Sequence, residues 1–254
     1  MIDTNCHILP GLDDGVETWE EAVRMARVAS FGGIDTIVAT PHHAKGSYFN
    51  PSLTVRSSVK RLNEKLEAAG VPVLILPGQE YRLQPDYRIA HLGGQLQALG
   101  SSHYLLVELP NGGLPEYFGE FVDYMLSFGI TPIIAHPERN KTFMRRPELI
   151  YDWLIRGVRF QITAGSVLGI HGRRVKAIAS DMCRNQWVQL AASDARNTRT
   201  RGMQLREAMG RLRMEFGHEL TERLALNAER LVRGRKLLMD EPVKPSRKRR
   251  FLIL

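Results

Sequence analysis

A single parallel α/β barrel of seven strands is the fold class this sequence predicts, on three observations. The order helix, glycine, short apolar strand recurs along the chain, which is the βα rhythm of a parallel sheet. Six of the apolar segments run directly into a His or a carboxylate. No G-x-G-x-x-G or P-loop follows any of them, so nucleotide binding has no local support. Seven sequential βα units favour a closed barrel, with an open doubly wound sheet as the alternative.

The strands are expected at about 1–6, 34–40, 72–77, 103–108, 131–135, 158–163 and 187–193. Between them fall helices at about Thr18–Phe31, Pro51–Ala69, Leu114–Phe128, Pro147–Arg156 and Arg173–Asn185, followed by Thr200–Phe216 and Glu219–Val232. In the second, Leu53, Val55, Val59, Leu62 and Leu66 recur at helical spacing. Gly32-Gly33, Gly70, Gly129 and Gly157 stand where helices should stop. No internal linker divides the chain, so residues 1–235 read as one barrel domain and 236–254 as a basic tail.

Composition bounds the function. Of the net charge of +8, five units lie in Lys244-Pro-Ser-Arg-Lys-Arg-Arg250, leaving +3 on the body, which argues against a nucleic-acid partner. The tail continues into Phe251-Leu-Ile-Leu254 and reads as a solvated end or a weak contact with an anionic membrane face. No apolar run approaches the roughly 20 residues of a membrane span, and a cytoplasmic protein is expected. Helix 18–31, with Glu17, Glu20, Glu21 and Arg24, is a solvated face or a surface for homo-oligomer assembly.

The strand-end residues are His7, His42, Glu80, Glu108, His136 and Asp194, at intervals of 35, 38, 28, 28 and 58 residues. Barrel enzymes build their sites from such ends, and three His with three carboxylates read as ligands for divalent metals. Such a set suits Zn²⁺, Mn²⁺ or Fe, with hard oxygen ligands shifting the preference to Mn²⁺. Glu80 can bridge two ions, a geometry suited to phosphoester hydrolysis, and Arg139 and Arg201 can reach a phosphate from the same face. His43 is expected as a surface partner of His42, and His91, His103, His171 and His218 as structural. Neither Cys6 nor Cys183 is followed by the arginine of a thiol-phosphatase loop, so both read as small buried hydrophobes.

Seven motifs then carry a family resemblance: Met1-Ile-Asp-Thr-Asn-Cys-His-Ile-Leu-Pro-Gly-Leu-Asp-Asp-Gly15, Ala39-Thr-Pro-His-His43, Leu76-Pro-Gly-Gln-Glu80, Val107-Glu-Leu-Pro110, Ile134-Ala-His-Pro-Glu-Arg-Asn140, Gln161-Ile-Thr-Ala-Gly-Ser166 and Ala192-Ser-Asp-Ala-Arg-Asn197. Together they resemble the PHP (polymerase and histidinol phosphatase) superfamily, and most closely its bacterial tyrosine-phosphatase branch of the CpsB/YwqE type, to about residue 235. The resemblance implies a distorted seven-stranded TIM-like barrel with a metal cluster, usually Mn²⁺-dependent. The implied partner is the phosphorylated C-terminal tail of a bacterial tyrosine kinase that regulates capsule or exopolysaccharide assembly.

Carried over by position, the H-x-H motif, Glu80 and Asp194 would hold a first metal, and Glu80, Glu108 and His136 a second. Asp14, His42 and the end of the D-x-H motif would hold a third, and Arg139 and Arg201 would bind phosphate. Two positions depart: Asn5 replaces the first His of H-x-H, and Arg196 replaces the His of D-x-H. An amide oxygen is a poorer ligand than imidazole, and a guanidinium is no ligand at all. The expectation is two metals rather than three, with Arg196 supplying a fixed cation in place of the third. Hydrolysis of phosphotyrosine is the leading reading. The alternatives are a small phosphate ester such as histidinol phosphate, and a phosphotyrosine-binding pseudophosphatase with little turnover.

Overall fold

The computed structural model describes residues 1–110, 112–199 and 201–245. The chain opens with β1 (Ile2–Cys6), α1 (Trp19–Phe31), β2 (Thr36–Ala39), β3 (His42–His43) and α2 (Ser52–Ala68). It continues through β4 (Leu74–Pro77), β5 (Glu80–Arg82), α3 (Tyr87–Leu92), β6 (Tyr104–Glu108), α4 (Phe118–Ser127) and β7 (Thr131–Ala135). A 3₁₀ turn (Pro137–Arg139) leads into α5 (Lys141–Arg145), α6 (Glu148–Ile155), β8 (Arg159–Thr163), α7 (Ala164–Leu168) and α8 (Arg173–Arg184). The last elements are β9 (Leu190–Ala192), α9 (Leu205–Phe216) and α10 (His218–Val232).

All pairings between these strands are parallel, in one sheet ordered β1-β2-β4 and a second ordered β3-β5-β6-β7-β8-β9. The segment expected as one strand at 34–40 extends across a break at Thr40-Pro41 into β3. Pro41 has no N–H to give a ladder, although its carbonyl still accepts from Glu80 N at 3.1 Å. The strand expected at 72–77 likewise resumes as β5 after Gly78-Gln79. A Cβ on Gly78 would stand 2.6 Å from Val38 Cγ1, so only glycine allows this approach. Across the other flank, Asp194 N donates to Asn5 O (3.0 Å) and His7 N to Ala195 O (2.8 Å), which sets the ends of β1 and β9 side by side.

Alternation along the strands sorts the core. Val38, Tyr104, Leu106, Ile133, Ala135 and Leu190 form one buried cluster with Leu231 of α10. Their strand neighbours Ile37, Leu105, Val107, Ile134 and Ala191 join the larger cluster with the flanking helices. Glu108 continues the Tyr104–Leu106 side of β6, so the period of two delivers its carboxylate to the inner face at the strand's end.

After α10 the chain crosses the opposite end of the strands. Leu237 is buried and its N donates to Tyr104 Oη (2.9 Å), while Trp187 Nε1 donates to Val243 O (3.0 Å). The basic tail expected from 236 is therefore anchored at two described positions, and its cluster at 247–250 with the apolar end 251–254 lies outside the described residues. Among the described residues no helix is long and apolar enough to cross a membrane.

Candidate metal centre

All six strand-end residues converge at the carboxyl ends of the strands. Glu80, fully buried at the start of β5, is the hub: its Oε1 lies 2.8 Å from His136 Nε2 and its Oε2 3.1 Å from His7 Nε2. His42 Nδ1 lies 4.0 Å from Glu80 Oε2 and 3.7 Å from Glu108 Oε2. Burial would keep Glu80 protonated, but the surrounding imidazoles hold it well below the usual carboxylate range.

Asp194 anchors a second arc. Its Oδ2 accepts from Arg139 Nη2 and from Arg201 Nη2, each at 2.7 Å, and its Oδ1 lies 3.4 Å from His7 Nε2. Burial opposes its ionisation, yet His7 and Arg139 bring its pKa below the normal value. Two of the four described non-glycine residues with positive φ are site residues, His136 (38°) and Asp194 (52°). Such backbone costs about 1–3 kcal/mol per residue and persists where surrounding bonds over-determine it. At Asp194 they do: buried Asp3 accepts from Ser193 N (2.9 Å) and Ser193 Oγ (2.5 Å), and Ser193 Oγ accepts from Ala195 N (3.0 Å).

The third region is crowded with cations. Arg196 pairs with Asp14, and its Nη1 lies 3.0 Å from His42 Nε2, to which Lys45 Nζ also approaches at 2.8 Å. Burial, with the charges of His7 and Lys45, pushes His42 down to about 3 against the pull of Glu80, so its ring is neutral and accepts from these cations. Burial and the neighbouring Arg201 bring Arg196 down to about 9, still charged at neutral pH.

Asp13, adjacent to the expected ligand Asp14, is the more deeply placed of the two. Its Oδ2 lies 2.5 Å from His7 Nδ1 and accepts from His42 N (2.8 Å), and its Oδ1 accepts from Gly15 N (2.9 Å). Burial would lower the His7 pKa, but Asp13 raises it to about 10. Lys45 Nζ donates to Glu108 Oε1 (3.0 Å), and Arg82 Nη1 lies 3.1 Å from Glu108 Oε2 as an ion pair without hydrogen-bond geometry. The one available signal for Lys45 is its place three residues after His42. His43, expected at the surface, is buried and accepts from Asn50 N (3.1 Å), because β3 turns its ring under the following loop.

The donor set fits divalent metal. Among the described residues, three groups bring their ligand atoms within 4.8 Å of one another: His7 with Glu80 and Asp194, His42 with Glu80 and Glu108, and His7 with Asp13, Asp14 and His42. Glu108 Oε2 and His42 Nδ1 are buried, face each other at 3.7 Å and make no hydrogen bond among the described residues, an unsatisfied pair that a shared divalent ion would satisfy. The expected set of Glu80, Glu108 and His136 is thus met only in part, since His42 stands nearer Glu108 while His136 bonds Glu80. Asn5 turns its Oδ1 to Thr40 Oγ1 (2.7 Å), with Nδ2 unpartnered among the described residues. A cleft of about 530 Å³ lies at the other ends of the strands, walled by Met1, Asp35, Leu74, Met209 and Val232, away from this chemistry.

Fold and donors together define a parallel α/β protein with an imidazole–carboxylate metal centre at its strand ends. The chain belongs to the CpsB/CapC family of capsular polysaccharide synthesis, whose model matches residues 1–233. It is 39% identical to tyrosine-protein phosphatase YwqE of Bacillus subtilis, over 99% of each chain. It is 27% identical to the putative tyrosine-protein phosphatase CapC of Staphylococcus aureus, over 99% of this chain and 98% of that one. A crystal structure from work on YwqE of B. subtilis and CpsB of Streptococcus pneumoniae, described as metal-dependent tyrosine phosphatases, superposes with a TM-score of 0.93 at 38% identity, covering 97% of this chain and 100% of that one. An organophosphorus hydrolase from Deinococcus radiodurans (TM-score 0.56, 12% identity, 91% of this chain and 92% of that one) shares the fold alone.

Proposed function

We infer that this chain is a metal-dependent tyrosine-protein phosphatase of capsule synthesis, acting on the phosphorylated tail of a bacterial tyrosine kinase. The observation that carries the reading is the juxtaposition of Glu80, contacted by two imidazoles, with Asp194, clamped by two arginines. When bound, divalent ions supply a hydroxide nucleophile at neutral pH and neutralise charge on the phosphoryl oxygens. The chain's own residues do the rest. His7, His42, Glu80, Asp194, Glu108 and His136 would hold the ions, with Mn²⁺ favoured by the carboxylate oxygens. Asp13 fixes the His7 ring through Nδ1, leaving Nε2 turned toward Glu80 and Asp194.

Arg139 and Arg201 both hold one oxygen of Asp194 and present their remaining N–H groups to an arriving phosphate, whose oxygens a guanidinium fork matches. Arg196 stands between Asp14 and His42 as a permanent charge, so the assembly takes two ions rather than three. In this reading the nine strand segments act as the seven strands of a distorted barrel, β2 running into β3 and β4 into β5. That relatives similar over nearly the whole chain are phosphatases favours turnover over the pseudophosphatase alternative. Turnover of a phosphotyrosine peptide with and without Mn²⁺, beside a binding measurement on the same peptide, tests it. Metal-stimulated release of phosphate is expected, and tight binding without turnover in any metal would overturn it.

A further inference from the structure

The loop between β3 and α2 is a built hairpin set at the mouth of the metal centre. Lys45 and Tyr48 pair across it, with Lys45 N donating to Tyr48 O (3.3 Å) and Tyr48 N to Lys45 O (3.0 Å). Positive φ at Ala44 and Gly46, both 57°, turns the chain. The hairpin is pinned on both sides: Gln84 Nε2 donates to Ala44 O (2.7 Å), and Asn50 Nδ2 donates to Leu12 O and His42 O, each at 2.7 Å. Gln79 Nε2 holds Asn50 O at 2.6 Å. Its shape is thus fixed by bonds to three other segments, and its side chains are presented in a set arrangement.

Two of those side chains reach the centre and still keep part of their surface in solvent. Lys45, with about a third of its side chain in solvent, spans His42 Nε2 and Glu108 Oε1. The Tyr48 ring stacks over His42 with 6.3 Å between centroids and 17° between planes, and stays half-exposed. Phe49 beside it is 62% exposed, one face on His43 at 5.0 Å. A flat aromatic wall thus stands next to a cation at the edge of a phosphate-handling centre. An aryl phosphate offers the complementary pair, a dianion directly joined to a ring, whereas an alkyl phosphate offers only the dianion.

We propose that the 44–50 hairpin selects aryl phosphate esters, Lys45 meeting the phosphoryl oxygens and Tyr48 the ring that carries them. This rests on the phosphatase reading and adds the residues that set its preference for tyrosine. Lys45 exchanges its contact with Glu108 for the phosphoryl group on substrate arrival, and the Tyr48 ring packs against the phenyl group without touching phosphate.

Kinetics of the full-length Mn²⁺-loaded protein on a phosphotyrosine peptide, with inorganic phosphate as competing ligand, separate the two roles. Tyr48→Ala should raise KM for the peptide about threefold to tenfold, the range of a lost aromatic pair, while the phosphate inhibition constant stays within about twofold. Tyr48→Phe should restore the wild-type KM. Lys45→Met should raise both the peptide KM and the phosphate inhibition constant, by about tenfold or more. An unchanged KM in Tyr48→Ala, a phosphate constant that rises in step with it, or an unchanged phosphate constant in Lys45→Met would overturn the assignment. A wild-type protein that does not turn over the peptide would refute the phosphatase reading itself, whereas normal wild-type turnover with insensitive variants would refute the hairpin's role alone.

Discussion

Arg196 Nη1 lies 3.0 Å from His42 Nε2, inside the pair of residues, Asp14 and His42, that would otherwise share a metal ion. A neutral imidazole has one acceptor nitrogen, and here Arg196 and Lys45 both address it. His42 Nδ1 then carries the ring proton toward Glu108 and Glu80. Metal at either nitrogen must displace something, the cations on one side or the proton on the other.

Replacing Asn5 and Arg196 by histidine should therefore complete a ligand set. Asn5→His with Arg196→His is expected to bind about one more metal ion per chain and to raise turnover of a phosphotyrosine peptide. An unchanged rate in a folded protein with the extra ion bound would show that ligand loss does not limit catalysis.

Arg139 and Arg201 share Asp194 Oδ2 at the same 2.7 Å, so each is half of one clamp. Loss of either removes charge-assisted bonds to phosphate, and Arg139→Ala or Arg201→Ala should lower kcat/KM by about 10- to 100-fold. Arg139→Lys should recover only part, because an ammonium lacks the planar fork. Full recovery by lysine would show that charge alone is required.

Glu80→Gln keeps the volume of the hub and removes its charge. With two imidazoles bonded to that carboxylate, the variant should lose metal and most activity while remaining folded. Metal analysis beside circular dichroism checks this, and wild-type metal content in the variant would show that Glu80 is not a ligand.

Asp3 gives the fold a pH dependence of definite sign. Burial raises its pKa from 3.8 to about 6, against the bonds from Ser193. The folded state therefore holds this proton more tightly than the unfolded state, and the contribution to stability is fullest below about pH 4 and is lost as pH rises through 6. Between pH 5 and 7.5 the loss is roughly 1.5 kcal/mol. Denaturant titrations of metal-free protein should show this decline, and Asp3→Asn should flatten it; an equal decline in the variant would assign it to other groups.

How much of this was legible follows from what each signal spans. The seven longer helices, of 8–17 residues, show in the sequence through their apolar periodicity, whereas α3, α5 and α7 run only 5–6 residues and leave no period to read. The candidate ligand positions show because each stands at a strand end. Asp13, Lys45 and Arg82 do not, because they reach the centre from loops or through long side chains, and only the packed fold brings them to His7 and Glu108. The break at Thr40-Pro41 is similarly hidden: proline marks it, but the close approach of Gly78 to Val38 beside it shows only in the packed fold.

Counting metal on the purified wild-type chain at saturating Mn²⁺ bears most directly on the two-ion centre with a guanidinium in the third place. Two ions per chain are predicted, with turnover lost on chelation and regained on their return. Three ions per chain would contradict it.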